Sequence, residues 1–206
     1  HRWFLLRLAA KDSILMPRRL LCMLAFIAAA VVSGGLLGEG IESRNVSVVQ
    51  GDEALVVRAD FEFELTQRLE EALNNGVALY FVVEFELLRP RWYWFDEKAA
   101  AEKLTLRLVY HPLSRQYRVS RGALYQNFAT LAEALRTVGT VRNWAVVERE
   151  RLKPEAGYVA LLRMRLDTTQ LPKPLQVSAF ASREWALASD WTRVAFTANH
   201  AGGAAR

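Results

Sequence analysis

Along residues 55–65 the chain alternates, with Leu55, Val57, Ala59, Phe61, Phe63 and Leu65 on one side and Arg58, Asp60, Glu62 and Glu64 on the other. A period of two with one apolar face predicts a half-buried strand. The alternation returns after Val77, where Leu79, Phe81, Val83, Phe85 and Leu87 share a face and Glu84 and Glu86 take the opposite one. Between these strands, residues 66–75 fit a short helix. Thr66 is a suitable cap, Leu69, Ala72 and Leu73 recur at helical spacing, and Gly76 is free to take the left-handed closing conformation. A second helix is predicted from Thr130, which stands at capping-box spacing from Glu133. It presents Leu131, Leu135 and Val138 and stops at Gly139. Further strands are expected at 104–110, 115–120, 141–148, 158–166, 175–180 and 185–196, the last broken near Ser189 and Asp190. Prolines at 112, 154, 172 and 174 mark turns between them, because proline cannot donate to a ladder.

About eight to ten strands at hairpin spacing with two inserted helices predict a mainly β fold, an antiparallel β-sandwich-like domain. Strands do not alternate with long helices, which argues against a parallel α/β sheet. The expected organisation is a basic region and export segment at 1–40, including an N-terminal apolar helix, one β-rich domain at 41–197, and a disordered tail at 198–206.

Charge changes the picture only once it is located. The chain has a net charge of +5, yet residues 1–19 hold Arg2, Arg7, Lys11, Arg18 and Arg19 against Asp12, and residues 20–38 hold no charge. The remainder from Glu39 is therefore only +1, which gives no electrostatic reason to expect a nucleic-acid partner. Arginines ahead of the uncharged stretch LLCMLAFIAAAVVSGGLLG hold the N-terminus in the cytoplasm and send the rest across a membrane. Two versions fit: a signal peptide cleaved near Ser33, Gly34 and Gly35, or an uncleaved anchor. The expected location is the bacterial inner membrane facing the periplasm, or the periplasm after cleavage. His1 opens the chain, and Met16-Pro17-Arg18-Arg19 would make an ordinary start to such a segment, so residues 1–15 are expected to precede the natural start.

Several chemistries lack their residues. Cys22, the single cysteine, falls in the apolar stretch, so the expected domain has no disulfide and no thiolate metal ligand. His1 and His200 lie in the expected tails, which leaves His111 beside Pro112 as a turn histidine and excludes a metal site built on several histidines. Neither a Gly-x-Ser-x-Gly elbow nor a Walker loop nor a Gly-x-Gly-x-x-Gly turn is present. No cofactor, no metal and no catalytic residue is expected. Carboxylates at Asp60, Glu62, Glu64, Glu84 and Glu86 would suit a hydrolase if their strands were neighbours, but acids opposite an apolar face are usually solvated and matched by cross-strand arginines.

Two clusters remain as a possible binding surface. Arg107, Arg115, Arg118 and Arg121 interleave with Tyr110, Tyr117 and Tyr125, and Arg163 and Arg165 are candidates to join them. Such a group fits an anionic glycan, a lipid headgroup or an acidic protein, or simply the outward face of strands paired to acids. The second cluster is RPRWYWFDE at 89–97, where Arg91, Trp92, Tyr93, Trp94 and Phe95 follow Pro90. On a strand, Trp92 and Trp94 would share one face and Tyr93 and Phe95 the other; the tryptophans are expected inside, with Trp144, Trp185 and Trp191.

The runs LRPRWYWFDEKAA, LTLRLVYHPLSRQYRVSRG, FATLAEALRTVG, LDTTQLPKPLQ and SREWALASDWTRVAF, in this order, resemble the bacterial domain-of-unknown-function family number 4390 over most of residues 41–197. The resemblance implies an envelope protein with an N-terminal export segment and no assigned catalytic residues. Members of that family tend to be encoded near membrane sensor kinases, so the resemblance also points toward signalling. The expected function is a non-catalytic accessory module that partners an envelope or membrane signalling protein. The alternative is a glycan-binding module using the aromatic run, and the third a carboxylate hydrolase.

Overall fold

The computed structural model of the chain describes residues 40–93 and 95–199. The predicted export segment, its apolar helix, Trp94 and the chain beyond Asn199 lie outside the described residues. The chain divides into two units, 1–38 and 39–206, and the described residues all belong to the second. No helix among the described residues is long and apolar enough to cross a membrane.

Nine strands and three α-helices are described: β1 (Glu42–Gln50), β2 (Ala54–Glu62), α1 (Gln67–Asn74), β3 (Leu79–Arg89), β4 (Glu97–His111), β5 (Gln116–Arg121), β6 (Leu124–Phe128), α2 (Leu131–Gly139), β7 (Thr140–Glu148), β8 (Gly157–Leu166), α3 (Lys173–Ala181) and β9 (Thr192–Thr197). They form a three-stranded sheet in the order β1-β2-β7 and a six-stranded sheet in the order β6-β5-β4-β3-β8-β9, with every pairing antiparallel. The expected mainly β, sandwich-like class is therefore correct. Apolar positions of β2 and β3 meet between the sheets, where Phe81 and Phe85 are fully buried and Phe85 packs edge-on against Trp144 of β7, centroids 6.3 Å apart. Each such ring contributes about 2 kcal/mol by leaving water. One side of the sandwich is drawn together where β1 approaches β9, through the Ser43 and Thr192 hydroxyls at 2.6 Å.

Both predicted helices form as their caps dictate. Thr66 Oγ1 accepts from Leu69 N–H at 3.3 Å and donates to the Glu184 carbonyl at 2.7 Å, while Gly76, at φ 83°, lets the chain leave α1 for β3. Thr130 Oγ1 accepts from Glu133 N–H at 3.3 Å and opens α2, which buries Ala134, Leu135 and Val138.

Four expectations need correction. The predicted strand at 175–180 is helix α3: Leu175 and Ala179 sit one helical turn apart, and Pro174 is accommodated in the first turn, where its missing N–H costs nothing. The predicted strand at 185–196 begins instead as a 3₁₀ turn, Arg183–Trp185. Trp185, Leu187 and Ser189 alternate inward, but only Ala188 bridges β8, opposite Arg165, before β9 begins at Thr192. Strand β4 starts at Glu97, seven residues before the expected one, because EKAAAEK pairs with β3 and pairing overrides its helical composition. Ala198 and Asn199, expected in the loose tail, are held: Ala198 exchanges backbone hydrogen bonds with Glu155 and Ala156, and Asn199 with the Gln50 side chain.

The long axis has two distinct ends. At the start of β3 lie α1, the 3₁₀ turn at Arg183–Trp185 and α3, tied in by Asp167 N–H to the Tyr80 carbonyl at 2.7 Å. Ile41 joins this end by donating to the Ala188 carbonyl at 3.3 Å. At the far end, roughly 35 Å away for an eleven-residue strand, β3 turns into β4.

Gly139 closes α2 directly under β2, where a Cβ would fall 2.0 Å from the Phe61 carbonyl oxygen. Gly139→Ala is expected to lower unfolding free energy by about 2–4 kcal/mol in urea titrations. An unchanged midpoint would contradict this close approach.

Candidate functional site

The β3–β4 hairpin ends its ladder with Arg89 opposite Glu97, and Pro90 stops it there. Arg89 and Arg91 both donate to Glu97 Oε2, which clasps the base of the loop. The hydrogen bond from Arg91, with the charge of Arg89 beside it, holds the Glu97 carboxyl below its ordinary range. Beyond the clasp, Trp92 is 93% exposed, Tyr93 68% and Phe95 87%. The Trp92 and Tyr93 rings meet edge to face, 4.8 Å apart at 71°. The expectation that Trp92 packs inside is therefore wrong, and so is the split into a buried and an exposed pair. Alternation needs a strand, and Trp92 and Tyr93 lie in a turn that has no inner face. Trp144 and Trp185 fill the core without Trp92, while Trp191 lies on the outer face of the large sheet under the Arg163 guanidinium, 4.4 Å from its ring.

The basic group is divided by the pleat. Arg107 and Arg118 lie on the outer face of the six-stranded sheet, Arg107 over Tyr80 at 6.0 Å and Arg118 over Tyr125 at 4.6 Å with its Nε donating to Asn127 at 2.9 Å. Tyr110 and Tyr117 point the other way, against the core, with centroids 4.9 Å apart. Burial, and secondarily Tyr110 and Glu70 nearby, pushes the Tyr117 hydroxyl up. Arg115 occupies the β4–β5 turn at φ 52°, and Arg121 ends β5 beside the next turn. Tyr80, Lys103 and Trp191 join the outer face instead. The alternation that places Tyr80 outward was available in the sequence, but the start of β4 at Glu97 and the strand order that brings the three together were not.

Four of the acids, Asp60, Glu62, Glu84 and Glu86, pair as outward-facing acids should, though not with Arg107, Arg115, Arg118 or Arg121. Asp60 binds Arg142 at 2.6 Å, Glu62 binds Arg44 at 3.2 Å and Glu86 binds Lys98 at 2.6 Å. Glu84 is nearly buried and receives Arg163 at 2.7 Å, Arg165 at 3.2 Å and Lys103 at 3.3 Å. Burial alone would raise its pKa, but the hydrogen bonds and charges of the two arginines outweigh this and bring it to about 2. Asp60 and Glu62 belong to the small sheet and Glu84 and Glu86 to the large one, so the two sets do not face one another across a cleft. Among the described residues no group of three or more His, Cys, Asp or Glu side chains is arranged to hold a metal. A cavity of about 270 Å³ is lined by Gln50, Arg149, Glu150, Leu152, Pro154, Ala198 and Asn199; Gln50 pairs with Asn199, and Arg149 donates to the Asn199 carbonyl at 3.4 Å and, outside the lining, to the Gly51 carbonyl at 3.2 Å.

The chain belongs to the family described as Domain of unknown function (DUF4390), whose model matches residues 38–195. No curated protein and no solved structure matches the chain. The match runs from just before β1 into β9, so the clasped hairpin and the Glu84 cluster both belong to the shared domain.

Ionised Glu84 favours the fold because its pKa of about 2 lies below the ordinary 4.5. Its contribution, about 3 kcal/mol, is complete above the ordinary value and is lost as pH falls toward 2. In urea titrations across acid pH, Glu84→Gln is expected to be less stable than wild type at neutral pH and to converge on it by about pH 2. Parallel curves would contradict the assignment.

Proposed function

We propose that this member of the DUF4390 family is a non-catalytic interaction module of the bacterial cell envelope. Its N-terminal segment carries it to the outer side of the cytoplasmic membrane, where it stays anchored or is released by cleavage. The 91–95 tip engages another envelope protein, with a membrane signalling protein as the partner the family resemblance implies.

The exposure of Trp92, Tyr93 and Phe95 together, beyond a two-arginine clasp, supports this reading. A contiguous apolar patch rimmed by charge is costly to leave in water and marks a contact site. Trp, Tyr and Arg are the residues that dominate binding energy at protein interfaces, and a clasped loop loses little freedom when it binds. The hydrophobic effect supplies the affinity here, and Arg91 supplies orientation. The folded domain needs no cofactor for such a role, and its charge beyond Glu39 of only +1 offers nothing to a nucleic acid.

Glycan binding ranks second. A sugar platform presents flat ring faces, whereas the Trp92 and Tyr93 rings stand at 71° with one face closed by the neighbouring edge. A hydrolase ranks third, since Glu84 is neutralised by three cations and the other acids are distributed over two sheets.

Two experiments test the reading. A reporter enzyme active only outside the cytoplasm, fused after residue 198, is expected to be active; a silent fusion would sink the localisation. A photo-activated cross-linker in place of Trp92 is expected to give one discrete adduct in cells, identified by mass as an envelope protein. The same cross-linker at Leu124, exposed on an edge strand, is expected to give none. Indistinguishable products from both positions would contradict a specific contact, and peptidoglycan retention abolished by Trp92→Ala would move the glycan reading to first place.

A further inference from the structure

Helix α3 is apolar on more than one side. Leu175 and Ala179 pack against the core as partly buried residues, yet Val177 and Phe180, three residues apart, remain 73% and 91% exposed, with Pro174 and Ala181 exposed beside them. A helix apolar on two sides needs a second cover beyond its own domain. From Pro174 to Ala181 the chain carries no charge, and the flanking charges are Lys173 and Arg183. Glu184, the next residue, is engaged by Arg68 at 3.4 Å. An uncharged apolar ridge between two cations is the composition of a helix seated in a bilayer interface over anionic headgroups.

The position of α3 in the domain favours that occupant. It packs beside the 3₁₀ turn at Arg183–Trp185, three residues before Ala188, whose carbonyl receives the Ile41 N–H. The uncharged stretch 20–38 ends three residues before Ile41 in the sequence. Leu113, fully exposed in the turn after β4, projects from this same end, since Leu108 of β4 pairs with Leu79 at the start of β3.

We infer that the exposed ridge of α3 rests on the headgroup region of the membrane to which residues 20–38 lead, so that the aromatic tip is presented away from the lipid. The inference rests on the anchored form of the proposed function. Val177 and Phe180 enter the interface, and Lys173 and Arg183 meet anionic headgroups.

The test uses the full chain with Cys22→Ser, reconstituted into vesicles of phosphatidylethanolamine and phosphatidylglycerol. Either Phe180→Cys or Trp92→Cys carries an environment-sensitive fluorophore; both sites are exposed, and unchanged melting curves confirm that the labels leave the fold intact. With spin-labelled lipid present, the label at 180 is expected to lose about half of its emission and the label at 92 almost none. Val177→Cys, on the same ridge, is expected to behave as Phe180→Cys does. Vesicles that float with the protein but quench neither site overturn the inference while leaving the tether intact. Quenching at 92 alone reverses the orientation and overturns it as well. A concentration-dependent blue shift at 180 without quenching assigns the ridge to a second copy, which also overturns it. Protein that fails to float with the vesicles overturns the anchored reading together with the inference.

Discussion

Strand β3 is the element on which the rest is built. Paired on one side with β4 and on the other with β8, it buries Leu79, Phe81, Val83, Phe85 and Leu87 against the small sheet. Its other face holds Val82 and Glu84 nearly out of water as well, which is tolerable for a carboxylate only because Arg163, Arg165 and Lys103 converge on it from the two neighbouring strands. A one-residue slip of β3 would turn Glu84 into the core and Phe85 out of it. The register fixed this way also sets the two ends of the domain, with α1 and α3 at one and the 89–97 hairpin at the other.

What was legible in the sequence was local. Thr66 and Thr130 announce their helices because a cap acts on backbone groups within three residues of itself, and β2 and β3 announce themselves because each has one oily face. β6 is exposed along nearly its whole length, so nothing in its pattern could reveal it. EKAAAEK shows no apolar alternation, since only Ala100 of it is buried, and Leu175 to Phe180 satisfies either period. The candidate site was half legible. The run at 92–95 stands out by composition, but strand alternation, which would bury Trp92, does not extend past Pro90. The basic cluster was legible as a list of residues and not as a surface, because which of them share a face depends on the pleat and which faces adjoin depends on strand order.

The fold and the proposed function thus draw on different residues. The core is completed by Trp144, Trp185 and the rings of β3, without Trp92, Tyr93 or Phe95. Trp92, Tyr93 and Phe95 sit beyond a clasp that secures the hairpin without them, through Arg89, Arg91 and Glu97. A domain that already satisfies its core has no folding reason to display three large rings in water. The proposed function would have a partner cover them, and α3 leaves Val177 and Phe180 exposed in the same way at the opposite end.

Trp92, Tyr93 and Phe95 are surplus to the fold. The most direct measurement is the unfolding free energy of the full chain carrying Trp92→Ala, Tyr93→Ala and Phe95→Ala together, by urea titration beside the wild type. Agreement within about 0.5 kcal/mol, the ordinary range for exposed positions, is expected. A loss of about 2 kcal/mol or more would show that the rings help to hold the sandwich together, and would remove the reason for assigning them to a partner.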